Sequence, residues 1–202
     1  MYHCRIQFYF IGQQCRIFEV IREMLPLEQF THVFMQSDTP QEALTAEADV
    51  ILAHLPDVDV KETLEKILSC RKQEAELILL ADKEQMNSLS RWLPEVKDIW
   101  TLPMGDEEIR FRFLRWQQTC KMGKDFWQTS HFFEATINHI PNLIWYKDKA
   151  GIHEKVNDSF CATVNKTKQQ VEGQGHAYIW DVEQDDPACI ESEQEVMSKR
   201  QT

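Results

Sequence analysis

Across residues 1–105 the chain alternates between short β-branched or aromatic runs and stretches with helical apolar spacing, and this alternation restricts its fold more than any other feature. In residues 5–12, Ile6, Phe8, Tyr9, Phe10 and Ile11 suit a strand buried on both faces. In residues 13–25, Ile17, Phe18, Ile21, Met24 and Leu25 recur at helical spacing until Pro26 stops the pattern. The cycle then repeats, with strands predicted over 31–36, 50–54, 76–81 and 96–102 and helices over 40–48, 61–73 and 84–93. Asp38 or Thr39 is placed to cap the second helix with Pro40 at its first position, and Leu64, Ile67 and Leu68 make one stripe on the third. Alternation with short connections predicts a doubly wound, five-stranded parallel sheet covered by helices, a flavodoxin-like α/β architecture. In such sheets chemistry sits beyond the carboxyl ends of the strands.

Composition removes several function classes. The net charge is −11, and the chain is acidic on both sides of Pro141, so the basic face that nucleic-acid binding requires is missing. Among the six glycines, Gly173 and Gly175 make a lone GxG that lacks the third glycine of a phosphate-cradling loop. The six cysteines lie at least eleven positions apart, which excludes zinc-ribbon and CxxC spacings and predicts packed, reduced thiols. No apolar run approaches the ~18 residues that span a bilayer, and Arg5 and Gln7 interrupt the start, so neither a membrane partner nor a signal peptide is expected. A cytoplasmic location follows from these readings.

The strand ends carry a more specific signal. Asp49-Val-Ile-Leu-Ala-His54-Leu-Pro56 resembles the third strand of response-regulator receiver domains, whose motif ends in the phosphoacceptor aspartate. His54 stands at that position. The acidic pair that follows a receiver's first strand is matched by Gly12-Gln13, the Thr or Ser ending the fourth strand by Ala81, and the lysine of the fifth strand's Lys-Pro by Leu102, followed by Pro103. Aspartyl phosphorylation needs a carboxylate nucleophile, oxygen ligands for Mg²⁺, and a cation and hydroxyl for the phosphoryl oxygens. Every one of those groups is replaced, so the resemblance implies a receiver-like domain over residues 1–120 that lacks the phosphorylation site, with no catalytic residue and no metal. His54 is expected to fill the vacated pocket. Trp92, Leu93 and Trp100 lie where receivers commonly dimerise, but aromatic residues at helical spacing are expected to be core.

A connecting helix is predicted over residues 106–140. Asp106, Glu107 and Glu108 suit its start, and Ile109, Phe113, Trp116 and Cys120 form a heptad-like seam. Arg110, Arg112, Arg115, Lys121 and Lys124 make its flank basic. Gly123 interrupts the first register, and Phe126, Phe133, Ile137 and Ile140 resume a shifted apolar line up to Pro141. This is expected to be a signalling helix that supports a homodimer, while its first half also serves as the last helix of the receiver-like domain. His131 has Phe132 after it, where histidine-kinase phosphoacceptor boxes carry an acid, and receives no catalytic role.

From residue 141 the sequence predicts a hairpin, with strands over 142–148 and 152–156 around Lys149-Ala150-Gly151, then a helix capped by Asn157. Ile140 to Gly151 together with Val156-Asn157-Asp158-Ser159-Phe160 resembles the opening of a PAS domain, and Val171-Glu172-Gly173, Ile179-Trp180-Asp181 and residues 191–199 fit its later helices. The resemblance implies a partial α+β PAS module over 141–202, its three last strands lying outside the sequence, as in a fragment of a longer protein. Cys161 lacks the Asn-Cys-Arg-Phe context of flavin photosensors, and His176 sits in a loop-like Gly-His-Ala away from the long helix of haem-binding relatives, so no cofactor is predicted. Leu143, Trp145, Phe160, Val164, Ile179 and Trp180 are the candidate lining of a small-molecule pocket, although packing also accounts for them.

The expected function is thus non-catalytic: a sensory and regulatory piece of a bacterial signal-transduction protein. It relays a signal to an output domain of the same chain, by analogy a GGDEF diguanylate cyclase or a histidine kinase. The alternative is a small flavodoxin-fold enzyme using His54, Asp57, Asp59 and Asp82 at the strand ends.

Overall fold

The structure, a computed structural model, describes residues 3–55 and 60–184 together with positions 187, 191 and 195. The chain divides into two compact units, Met1–Met122 and Gly123–Thr202. The first holds β1 (Cys4–Ile11), α1 (Arg16–Glu23), β2 (Phe30–Ser37), α2 (Glu42–Glu47), β3 (Val50–His54), α3 (Val60–Cys70), β4 (Glu76–Asp82) and β5 (Asp98–Leu102). A helix α4 (Asp106–Asn138) begins in this unit.

Five parallel strands form one sheet in the order β2-β1-β3-β4-β5, the flavodoxin-like arrangement that receiver domains share. Alternate residues of each central strand feed opposite cores. On one face Phe8, Phe10, Leu52, Leu80 and Trp100 pack with Phe18 and Ile21 of α1 and with Ile109 and Phe113 of α4. On the other, Tyr9, Ile11, Ile51, Ala53, Leu79 and Ala81 pack with Leu64 and Ile67 of α3 and with Leu89 and Trp92. Burial on both faces explains the near-continuous apolar runs; each full-sized side chain so buried contributes about 1.5–3 kcal/mol against chain entropy.

Three local expectations change. The segment expected as a fourth helix is a 3-10 helix, Met86–Glu95, with Pro94 inside it. Its start is a three-residue turn, the Gln85 carbonyl accepting from the Ser88 amide at 3.0 Å and the Ser88 hydroxyl at 2.6 Å. Serine, asparagine and proline are poor α-helix formers, and threefold winding still aligns Leu89 and Trp92, three apart, toward the core. Of the three residues expected to be core there, Trp92 and Trp100 are buried while Leu93 is 54% exposed. Helix α2 starts at Glu42 rather than Pro40, with Gln41 as its cap residue. The Gln41 amide instead donates to the buried Tyr9 hydroxyl at 3.0 Å, which also bonds the Ser37 hydroxyl, so Pro40 belongs to the approach. Helix α1 ends at Glu23, and Leu25 is exposed.

The seam Ile109, Phe113, Trp116 and Cys120 faces the sheet core of its own unit, with Gln117 fully buried beside it. The Gln117 Oε1 accepts from the Leu27 amide at 2.9 Å, holding the segment before β2, and Trp116 Nε1 donates to Glu76 at 2.6 Å. Gly123 does not break α4. In the second register Ile137 is buried, but Phe126 and Phe133 are exposed.

In the second unit β6 (Trp145–Lys147) and β7 (His153–Val156) pair antiparallel, followed by α5 (Asp158–Val164), α6 (Lys168–Val171) and α7 (His176–Trp180). Asp148 accepts from the amides of Ala150 and Ile152, each at 2.9 Å, and Gly151 takes φ +80°, which makes the hairpin turn. Val156, Phe160, Val171 and Ile179 form the core of this unit.

Candidate functional site

The fold directs attention to the carboxyl edge of the parallel sheet. Its centre is the approach of β1 to β3. Gly12 follows β1 with φ +118°, donates its amide to the Ser37 carbonyl at 2.9 Å, and accepts from Gln36 Nε2 at 3.3 Å. A Cβ on Gly12 would lie 2.2 Å from the His54 carbonyl oxygen. No L-residue fits this backbone, so the position that faces β3 carries no side chain at all. Gln13, the next residue, is exposed.

His54 ends β3 opposite Leu80 of β4 and is half-buried. Ala81 is buried, Asp82 is exposed with its amide bonded to Gln85 Oε1 at 3.0 Å, and Leu102 joins Pro103 through a cis peptide bond. Behind this edge lies an apolar recess of about 10 Å³, lined by Ala53, Leu79, Ala81 and Leu89 with Gln85 as its polar member. That is room for about one water molecule, far below the ~300–1,000 Å³ of ordinary small-molecule sites.

Two members of the alternative cluster, Asp57 and Asp59, lie outside the described residues; His54 and Asp82 stand at the ends of adjacent strands. Among the described residues no three His, Cys, Asp or Glu side chains gather as a metal site. The described cysteines are free thiols, and burial raises the titration of Cys15 and Cys161, which disfavours reactive thiolates.

The strongest electrostatic feature of the edge is an exposed fork. Arg16, opening α1, binds Asp106, opening α4, with contacts of 3.1 and 2.6 Å. The Arg16 guanidinium holds the Asp106 carboxyl below the usual carboxylate range. Acids in the first turn of α4 also complement its dipole.

The candidate pocket set of the second unit separates into two groups. Phe160 and Ile179 are core with Val164 packed against them, while Leu143, Trp145 and Trp180 are 38%, 50% and 39% exposed. The Trp145 and Trp180 rings flank Phe160 at 5.8 and 6.1 Å. They form a half-open aromatic rim around a filled centre. The segment 191–199 lies outside the described residues apart from single positions.

Sequence reasoning finds Asn157 only as a cap. Its Oδ1 accepts from the Phe160 amide at 3.0 Å and from the Ile144 amide at 3.1 Å, and the two hydrogens of its Nδ2 are shared among the carbonyls of Ile137, Ile140 and Asn142 at 3.0, 3.1 and 2.8 Å. One fully buried side chain thus closes the end of α4, the loop after it and the start of α5.

Compared with protein-family models and with curated proteins, the sequence matches none. No helix among the described residues is long and apolar enough to cross a membrane.

Proposed function

We propose that this chain is a non-catalytic relay of a bacterial-type signalling protein: a pseudo-receiver, then α4, then a PAS-type module that passes its state to an output domain of the same polypeptide. The observation that carries the reading is the contact between Gly12 and the His54 carbonyl, where a Cβ would come within 2.2 Å. A receiver needs carboxylates at that junction to hold Mg²⁺; here the backbone itself occupies the space. A scaffold of receiver topology without the phosphoryl chemistry retains its surfaces and its helices, and those are what remain to transmit.

Incubation with acetyl phosphate and Mg²⁺ tests this. Intact mass spectrometry is expected to show the unmodified chain only; a stable phospho-form would overturn the reading.

The relay is proposed to act as a homodimer through α4. Because the first seam is spent on the sheet, pairing falls to the opposite face, which carries Phe111 and Leu114. Light scattering at tens of micromolar is expected to report a dimer, and a strictly monomeric chain would contradict that part.

A further inference from the structure

On the edge strand β2, His32 packs edge-on against three phenylalanines, Phe8 of β1, Phe34 of β2 and Phe113 of α4, with ring centroids 5.0, 6.0 and 5.7 Å away and interplanar angles of 74°, 77° and 75°. Phe113 in turn stacks on Trp116 at 5.6 Å, and Trp116 meets Phe8 at 5.2 Å. Both ring nitrogens of His32 are buried with no hydrogen-bond partner among the described residues, although the residue as a whole is only half-buried. A neutral imidazole is tolerated in such a site at the cost of an unmet donor and acceptor; a charged one is not, because nothing solvates the added proton. We propose that His32 is an acid-sensitive latch between the sheet and the first part of α4, closed while its ring is neutral and opened when protonation drives the ring outward to water.

The neighbouring charges do not rescue the imidazolium. Arg22 of α1 binds Gln36, and Glu23 of α1 binds Arg110 of α4. On α4, Arg112 is held by Glu108, and Lys121 contacts Gln29. Glu76 of β4 is taken by Trp116 and Lys97, and His3 is bonded to Thr31. Cys4 and Cys120 pack against the same cluster, and neither hydrogen-bonds the His32 ring. Burial alone holds the His32 titration down to about 4, against about 6.5 for an exposed imidazole.

The sign follows from linkage. The open or unfolded form takes up a proton from about pH 6.5 downward and the closed form only near pH 4, so closure weakens as pH falls through that window. After allowance for partial exposure, the equilibrium constant for closure is expected to fall about tenfold between pH 7 and pH 5. The Arg16–Asp106 fork titrates below that window, since its carboxyl is held under its usual range.

Amide hydrogen exchange on the full chain, corrected for intrinsic rates, tests the latch against His32→Phe and His32→Gln. The expected result is loss of protection at residues 30–36 and 109–120 on going from pH 7 to pH 5 in the parent, ahead of β3 and β4, with that loss absent in at least one folded variant. An NMR titration of the His32 ring is expected to give an apparent pKa well below 6.5. Equal acid sensitivity in parent and variants, or a His32 pKa at or above 6.5, would overturn the proposal. The latch stands on the β2–α4 contact and is independent of whether the chain relays a signal.

Discussion

Replacing Asn157 by alanine is expected to unfold the second unit while leaving the five-stranded sheet intact. The substitution removes the α5 cap, worth about 1 kcal/mol, and takes the acceptor from the Ile144 amide and a donor from the carbonyls of Ile137, Ile140 and Asn142, of which Ile137 keeps the Ile140 amide and Ile140 the Ser159 hydroxyl. Together these cost about 2–4 kcal/mol, and a core of Val156, Phe160, Val171 and Ile179 has little reserve to absorb it. A ¹⁵N correlation spectrum should lose dispersion for residues 142–180 and keep it for β1 to β5. Asn157→Asp separates the two roles of the side chain. It keeps the acceptor for Phe160 and Ile144 but turns a carboxylate oxygen toward three carbonyls. It should therefore be damaging at pH 7 and partly restored in mild acid, where the protonated group donates one hydrogen bond again. A dispersed second unit in Asn157→Ala would show that the hub is not what holds it.

The second large effect is expected at Gly12→Ala. A φ of +118° already costs an L-residue about 1–3 kcal/mol, and the added Cβ would stand 2.2 Å from a backbone oxygen that cannot rotate away. Either β1 or β3 must shift at the sheet's centre. The expected loss is about 3 kcal/mol or more, or roughly a 10 °C fall in the melting midpoint. Thermal unfolding followed by circular dichroism measures it. A midpoint within a degree or two of the parent would mean that the two strand ends are further apart than described.

The sheet was legible because its strands are buried on both faces. A run such as Ile6, Phe8, Tyr9, Phe10 and Ile11 has to be satisfied on two sides, and that requires helices on both. Local competition hid other features. Tyr9 draws the Gln41 amide away from the expected cap, and the serine-rich stretch before Pro94 winds into a 3-10 helix. The seam of α4 shows the limit of periodicity, since Ile109, Phe113 and Trp116 repeat alike whether they meet a sheet or a second helix. His32 looked like one more residue in a strand, because its setting depends on Phe113, distant in sequence. The Asn157 hub was equally hidden: three of its acceptors are backbone carbonyls, which residue types do not announce. At the strand ends residue types alone say which groups are present: Gly12, His54 and Ala81 carry neither carboxylate nor hydroxyl.

An NMR titration of the chain with Mg²⁺ tests that edge most directly. The account predicts no saturable shift at the amides of Gly12, Gln13, His54 and Asp82 up to millimolar metal. Saturable shifts clustered on those four would mean that acidic groups do converge there around a cation, and the picture of a receiver scaffold without phosphoryl chemistry would be contradicted.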